Sequence, residues 1–582
     1  MEFFVVSLIL LFVFAYANRL ELRRPSLSTI LRMGMSDSMT QSKSYDAVII
    51  GSGLGGLTAG ALLAHNGKKV LVCESHDVEG GCCHTWERQG FHFESGPSLY
   101  SGFSQEKSNN PLKNVFQIIQ EEPEWLTYDR WGTAIPEGKF AAKIGSAGFN
   151  EALEKYGGEK AKEDWDKIME RMTGEGGLSD AASALTSLAL REDKLAIITL
   201  LRYWRSLPVV LKNGAALNEP FSKVIDDVNA SDSPITNKFV LNWLNMLCFL
   251  LQGLPSEGTM CAVIAYMLND WYKPDVILDF PKGGSGAIIE ALVRGITKHE
   301  GCDVVLNTHV EEILLDDKGQ AAGVRAKLTR GSDKGEKTYY ANDAVISNVD
   351  QVMLRKLVPR GRHETFDKEF DSLMEDTPNL ASFIHLHAGI DATGLPSISE
   401  ELPGQWAYVR EWECEGGIEA PRNCVLVSCP SLIDPSLAPE GKHVIHAYTP
   451  ATEPWDWWKD LDPQSEEYKR KKAEAADYLW SAVEQYIPDA RQRSVKSVEQ
   501  IGTPLTHARF LRRARGSYGP RIEAGKGALP QHKTSIKKLW QAGDYSFPGI
   551  GVPAAAAGGA VCANSILSVR QHLRMLDKIS LP

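Results

Sequence analysis

The chain lacks the usual signatures of hydrolytic and metal-dependent enzymes. None of its ten cysteines stands in a C-x-x-C pair, and there is no H-E-x-x-H and no G-x-S-x-G. These absences exclude a zinc site built on paired cysteines, a zincin and the nucleophile elbow of a serine hydrolase. The adjacent Cys82 and Cys83 are not a ligand spacing either, and no metal site is expected. Thiols scattered over 582 residues read as reduced, in a compartment that does not oxidise them. Positive charge is scarce as well. Lys and Arg number 63 against 74 Asp and Glu, a net charge of −11, so no nucleic-acid partner is expected. Past the N-terminus no apolar run reaches ~18 residues, which excludes a transmembrane bundle. Repeats and low-complexity runs are missing too. With 43% hydrophobic and 24% charged residues, the chain is neither disordered nor collagen-like nor a disulfide scaffold. Its length holds roughly three or four domains' worth of chain.

What is present begins with an address. Phe3 to Ala17 are fifteen residues almost without polarity. As a helix they would span about 22 Å, short of a ~30 Å hydrocarbon core. Ala15-Tyr16-Ala17 fits a small-x-small cleavage site, although Glu2 leaves the n-region without a basic side chain. Asn18 to Ser44 is Ser-rich and carries Arg19, Arg23, Arg24, Arg32 and Lys43 against Glu21 and Asp37. The reading is a leader over 1–44, a signal at 1–17 plus a transit-like segment at 18–44. It resembles the two-part leaders of complex algal plastids and implies a plastid location. A signal anchor with a disordered spacer, and with it the endoplasmic reticulum membrane, is the alternative.

Tyr45 to Ile50 has the pattern of a buried parallel strand, and Gly51-Ser52-Gly53-Leu54-Gly55-Gly56 follows it. An Ala/Leu-rich helix comes next, then a second strand, Lys69 to Cys73, that ends at Glu74. Strand, glycine turn, helix and acid at 23 residues past Gly51 form a dinucleotide-binding unit. Gly51 makes the tight turn, Gly53 lets backbone approach a pyrophosphate, and Gly56 permits close helix–strand packing. The pyrophosphate would sit on the helix N-terminus. Glu74 would accept ribose hydroxyls.

Gly80-Gly81 stands six residues after that acid, followed by Cys82, Cys83 and His84. It resembles the second fingerprint of FAD enzymes of the amine oxidase and phytoene desaturase superfamily, where an Arg often stands in the place of these three residues. Leu539 to Asp544 is an apolar strand ending in Gly543-Asp544. It resembles the superfamily's C-terminal motif, whose Asp meets the ribityl–pyrophosphate region. Pro548 to Ala554, with Gly551 and Val552, opens an Ala/Gly-rich helix whose N-terminus could stabilise charge on a flavin ring. Val310, in Val310-Glu311-Glu312-Ile313, corresponds to the Val that meets adenine through its backbone. Phe91 to Gly102, Pro281-Lys282-Gly283-Gly284, Ala344 to Asn348, Gly502-Thr503-Pro504 and Gly516 to Pro520 extend the likeness over about 45–567. Together they resemble the carotenoid isomerase-like branch of the FAD-dependent carotenoid and retinoid oxidoreductases, beside phytoene desaturases and retinol saturase.

The resemblance implies an α/β fold: a Rossmann-like FAD-binding domain with an α+β substrate domain. The FAD-binding domain would be discontinuous, from 45–110, 277–350 and 535–575. The substrate and membrane-associated part would come from 111–276 and 351–534. FAD is the implied cofactor, and a carotenoid, xanthophyll or related polyene the implied substrate. The implied chemistry is redox-neutral, either cis–trans isomerisation or hydration of an unsaturated bond. A carotenoid desaturase or retinol saturase-type oxidoreductase is one alternative, and a flavin-free prenyl-binding escort protein another.

Three stretches carry further expectations. Lys194 to Leu217 has no acid, and sets Lys194, Arg202, Arg205 and Lys212 among large apolar residues such as Trp204. That suits a helix lying in a lipid interface, or a domain helix with snorkelling basic side chains. Val240 to Leu254 reads as core or tunnel wall. Alternation in Ser382 to His387 and in Asn423 to Ser428 predicts strands with one covered face. It puts His385 and His387 on one side, aimed at a pocket or held structurally. Glu94 and Tyr518 are possible polar groups near a flavin. No residue is assigned as catalytic.

Overall fold

The strand Lys43–Ile50 leads into a helix, Leu54–His65, and the chain returns as the strand Val70–Cys73. The computed structural model describes residues 43–96, 98–143, 145–229, 234–273, 276–330, 335–526 and 530–582. The expected leader therefore lies, except for its last two residues, outside the described residues. Lys43 and Ser44 already pair with Tyr339 and Tyr340 in the first sheet.

That sheet has five parallel strands in the order Leu539–Gln541, Glu336–Ser347, Lys43–Ile50, Val70–Cys73, Asp303–Val305. The strands Thr308–Leu315 and Ala321–Leu328 extend it antiparallel from the first half of Glu336–Ser347. Val, Ile and Leu dominate the central strands because helices cover both faces of a parallel sheet. One cover is Leu54–His65, crossed by Val552–Ile566 from the far end of the chain and by Gly286–Thr297. The first crossing is close because both helices are glycine-rich where they meet. A Cβ on Gly559 would lie 2.3 Å from the Gly55 carbonyl oxygen.

A second sheet takes its strands in the order Gln500–Gly502, His385–Asp391, Lys442–Tyr448, Cys424–Ser428, Gln405–Val409, Arg130–Ile135, Gly138–Lys143. The strand expected over Asn423 to Ser428 forms as Cys424–Ser428, the one expected over Ser382 to His387 begins only at His385 and runs on to Asp391, and the expectation of one covered face is wrong. Residues His385 to Ile390 are all buried. Leu386, Ala388 and Ile390 pack against the helix Glu466–Val483. The histidine face is covered in turn by the hairpin Thr85–Arg88/Phe91–Glu94, whose Trp86 and Phe93 rings meet His387 at 4.8 and 5.9 Å. Polar alternation here marks a second interior.

A helical lobe stands over this sheet, built on Glu159–Thr173, Lys238–Gln252 and Cys261–Trp271. Its core includes Trp165, Trp243, Leu244, Ile264 and Leu268. Lys194 to Leu217 is not one helix. It forms Ala196–Leu200, a 3-10 stretch Leu201–Ser206 that is broken at the non-helical Tyr203, and Leu207–Leu217. Pro208 suits the first turn of the last piece but cannot continue a longer helix. No helix among the described residues is long and apolar enough to cross a membrane.

Candidate functional site

Gly51 ends the first strand with φ +91° and donates its N–H to the Cys73 carbonyl at 2.8 Å. The chain turns there without a side chain and enters Leu54–His65 at Gly53, with no side-chain cap. The first-turn N–H groups thus open toward a cavity that Gly51, Gly53, Leu54 and Gly55 line. Three more glycine contacts shape this end. A Cβ on Gly53 would lie 2.4 Å from Asn348 Nδ2, one on Gly55 2.4 Å from Gly543 Cα, and one on Gly543 2.4 Å from Asn348 Oδ1. Gly56 does not line the cavity. Its Cβ would meet the Gly51 carbonyl oxygen at 2.6 Å, so its part is packing.

Glu74 is buried and held at both carboxylate oxygens. Oε2 accepts from Ser52 N at 2.9 Å and Ser52 Oγ at 2.7 Å, and Oε1 accepts from His76 N at 2.8 Å. Ser52 Oγ also accepts from Gly80 N at 3.1 Å, which ties the two glycine turns together. Gly80 and Gly81 take φ of +112° and +56°. Glu74, Gly80, Gly81, His84, Val310, Gly543, Asp544, Gly551 and Val552 all line the same cavity. The helix Val552–Ile566 starts at Gly551, φ +103°, again without a side-chain cap. A second set of free N–H groups therefore faces the cavity.

His84 brings no cation to this site. Its Nδ1 lies 2.7 Å from the Gly81 carbonyl oxygen, and burial lowers its pKa. Lys356, Arg512 and Arg513 bring positive charge to the lining, and Arg513, which sequence reasoning missed, is the one paired with Asp544. Arg513 pairs with Asp544 and donates to the Tyr518 carbonyl at 2.9 Å. Burial opposes its charge, but Asp544, Cys82 and Tyr545 together more than offset this and raise its pKa. Its neighbours Arg512 and Arg515 sit in the left-handed region at φ +54° and +58°, and Ala514 N donates to Asp350 at 2.8 Å. The only sequence signal was the density of arginine in Arg509 to Arg515. Asn348 was missed too, because it acts through glycines more than 190 positions away on either side.

The cavity, about 1000 Å³, continues past this end. It passes Cys82, Phe383, His385, Tyr448, Tyr518 and Ile550, then enters the helical lobe between Val210, Leu217, Leu247, Leu251, Val263 and Met267. Val240 to Leu254 thus supplies both core and wall. Asp270 lies on this apolar part; burial raises its pKa, and it accepts the Ser101 hydroxyl. Tyr518 faces the cavity, with burial pushing its pKa up to about 12. Glu94 does not face it. It stands behind the wall, accepts Ser285 N at 2.6 Å, and is pushed up to about 7 by burial. Of the predicted histidine pair only His385 lines the cavity. His387 lies behind it, its Nε2 2.9 Å from the Glu94 carbonyl oxygen.

The flavin containing amine oxidoreductase family matches residues 54–567. Prolycopene isomerase 1, chloroplastic, from an Oncidium hybrid cultivar is 28% identical over 561 residues, covering 92% of this chain and 86% of that protein. All-trans-retinol 13,14-reductase from Danio rerio is 27% identical over 587 residues, covering 94% and 89%. The solved structure of wild-type putrescine oxidase bound to putrescine superposes with a TM-score of 0.54 at 16% identity, covering 90% of this chain and 99% of that one. This chain belongs to the flavin containing amine oxidoreductase family, on its carotenoid isomerase-like branch, and is an FAD enzyme.

Proposed function

We propose that the enzyme acts redox-neutrally on the polyene of a carotenoid, by cis–trans isomerisation or by adding water across an unsaturated bond. The observation that carries this reading is the continuity of the cavity. One space joins a nucleotide cradle to a long apolar pocket among helices. A rigid, apolar chain of conjugated carbons fits such a space, which offers burial along its length and few polar groups. The likeness to the prolycopene isomerases supports a carotenoid, and the likeness to the retinol reductases supports the alternative of net redox work on a related polyene.

The residues present fit FAD. A cradle with no room for a Cβ, a carboxylate at the end of the second strand and two uncapped helix N-termini would hold its diphosphate and ribose. Gly51, Gly53, Glu74, Gly80, Gly81 and His84 would take the adenosine diphosphate side, with Val310 at the adenine. Gly543, Asp544, Gly551 and Val552 would take the ribityl and ring side, with Arg513 balancing the negative charge. Bound FAD supplies a reversible electron pair to the double-bond system. The lobe excludes water and orients the chain. Burial pushes the pKa of Tyr518 up to about 12 and raises that of Asp270, and both line the cavity, where they would position a water or hand a proton to the polyene.

Membrane docking is part of the same proposal. Leu201 and Trp204 are 56% and 62% exposed, beside Leu195, Ile197 and Ile198. Arg205 lies 5.6 Å from the Trp204 ring. The next helix turns Val210 and Leu217 to the cavity. A lipid-facing patch next to the apolar end gives a lipid-dissolved substrate a short route in. A plastid membrane is the proposed location, with the endoplasmic reticulum membrane as the alternative.

The test is the full-length protein in lipid vesicles with cis-carotenoids and xanthophylls, followed by chromatography before and after flavin reduction. Turnover only with reduced flavin, and without net electron use, supports the proposal. Turnover that consumes donor or acceptor stoichiometrically moves the enzyme to the desaturase or saturase reading. No turnover of any polyene refutes both.

A further inference from the structure

His385 and His387 stand two residues apart on the strand His385–Asp391, and His446 stands directly across from His387 on the neighbouring strand. All three rings are buried on the same face of the sheet. Ring centres are 4.6 Å apart for His387 and His446, 4.9 Å for His385 and His446 and 5.4 Å for His385 and His387. The ligand-capable nitrogens of the three lie within 4.8 Å of one another. Two strand-borne histidines at i and i+2 plus one from the adjacent strand give three imidazole ligands without moving the backbone.

The hydrogen bonding leaves the cluster short of partners. His385 Nδ1 and His446 Nε2 lie 2.8 Å apart and share one hydrogen. Among the described residues, His385 Nε2 and His446 Nδ1 have no partner, nor does Nε2 of the nearby buried His507. The first two are the other nitrogens of their rings, so the case for a ligand rests on the nitrogens that face one another across the strands. His387 is oriented as a ligand would be. Its Nε2 faces a carbonyl oxygen, so the hydrogen is there and Nδ1 keeps its lone pair. Metal-bound histidines commonly donate their outer N–H to a carbonyl or carboxylate in this way.

We propose that His385, His387 and His446 bind a borderline divalent cation of the first transition row, with Zn2+ as its representative. Neutral imidazole suits zinc, iron, copper and nickel, and the cluster has no thiolate or carboxylate that would favour softer or harder ions. Zinc takes nitrogen at ~2.0–2.1 Å, which puts ligand nitrogens about 3.3 Å apart in a tetrahedron. Binding replaces the shared hydrogen, opens the 2.8 Å contact by about half an ångström and draws the third nitrogen inward. His507, whose ring centre is 4.9 Å from that of His385, or a water is available for the fourth position. The cation would brace the wall behind His385 and Tyr448, and this does not depend on which polyene reaction the enzyme performs.

The test uses full-length holoenzyme, dialysed against metal-free buffer and analysed for manganese, iron, cobalt, nickel, copper and zinc by plasma mass spectrometry. The expected result is one equivalent per chain. His446→Gln and His387→Ala should each lower it at least tenfold while the flavin-to-protein ratio stays that of wild type. A control outside the cluster, His363→Gln, should leave it unchanged. If both cluster variants fail to fold, X-ray absorption at the metal edge of the wild type decides, with imidazole nitrogens expected around the ion. The proposal is overturned if wild-type protein carries no metal and added Zn2+ does not raise its melting temperature. It is equally overturned by metal that persists in the folded variants, or by a shell of sulfur or of oxygen alone.

Discussion

Replacing Glu74 by Gln tests the cradle at its most constrained side chain. Both carboxylate oxygens accept backbone N–H groups, Oε2 from Ser52 and Oε1 from His76. An amide offers one oxygen and one nitrogen. Whichever way it is turned, an NH2 faces one of these N–H donors, and no rotamer removes the conflict. The loss is one charge-assisted hydrogen bond plus one unsatisfied buried donor, together about 2–4 kcal/mol. Ser52 Oγ links Glu74 to Gly80 N, so the second glycine turn loosens with it. Flavin-stripped Glu74→Gln should therefore melt several degrees below wild type. FAD binding should weaken by about thirtyfold or more, since about 2 kcal/mol of preorganisation is lost along with the anionic acceptor for ribose hydroxyls. Thermal unfolding of the stripped protein reads the first effect, and quenching of flavin fluorescence during titration reads the second. A variant that melts with wild type and binds FAD within threefold of it would refute the assignment of Glu74 to the cofactor.

Arg513→Ala leaves Asp544 mostly buried without its cation, a loss of about 3 kcal/mol, and should give protein purified with little flavin; Arg513→Lys should recover part of the flavin-to-protein ratio. Trp204→Ser together with Leu201→Ser should lower partitioning to anionic vesicles about tenfold or more, read by co-sedimentation, while turnover of detergent-dissolved substrate is retained. Glu94 carries a pH dependence of definite sign. Its pKa rises from 4.5 to about 7 on folding, so between those values the native state holds a proton that the unfolded chain has released. Stability from this group is complete below pH ~4.5 and is lost as pH rises to about 7, by about 3 kcal/mol in all. Glu94→Gln should remove that slope, so its stability relative to wild type should improve between pH 5 and pH 7.5 in denaturant titrations. His572 works in the opposite direction, its pKa lowered to about 4 by burial. Its contribution is present above pH ~6.5 and is lost as pH falls through about 4, and His572→Gln should flatten the acid limb of the same curve.

The nucleotide cradle was legible because its information is local. Lys43 to Gly81 spans one strand, one helix, a second strand and a turn, and Gly51, Gly80 and Gly81 take positive φ within it. Gly543-Asp544 and Val310 were legible by likeness of motif, with their place in the sheet supplied by apolar strands. What stayed hidden depends on pairings across hundreds of residues. Asn348 separates Gly53 from Gly543 only because Glu336–Ser347 lies between Lys43–Ile50 and Leu539–Gln541. Arg513 reaches Asp544 by a strained turn that no periodicity announces. The second sheet shows the limit most plainly. Alternation assigned His385 and His387 to one face correctly, because the period of a strand fixes which side a residue takes. It does not fix what covers that side, and the rule that a polar face meets water failed. The hairpin Thr85–Arg88/Phe91–Glu94 supplies Trp86 and Phe93 as a lid from some 300 residues away. Three imidazoles buried on one sheet face are costly for a core, whereas a water-facing strand would carry them at no expense. That contrast between the pattern expected and the burial found is what singles out the histidine cluster as a place where this chain does something that its strand pattern alone does not state.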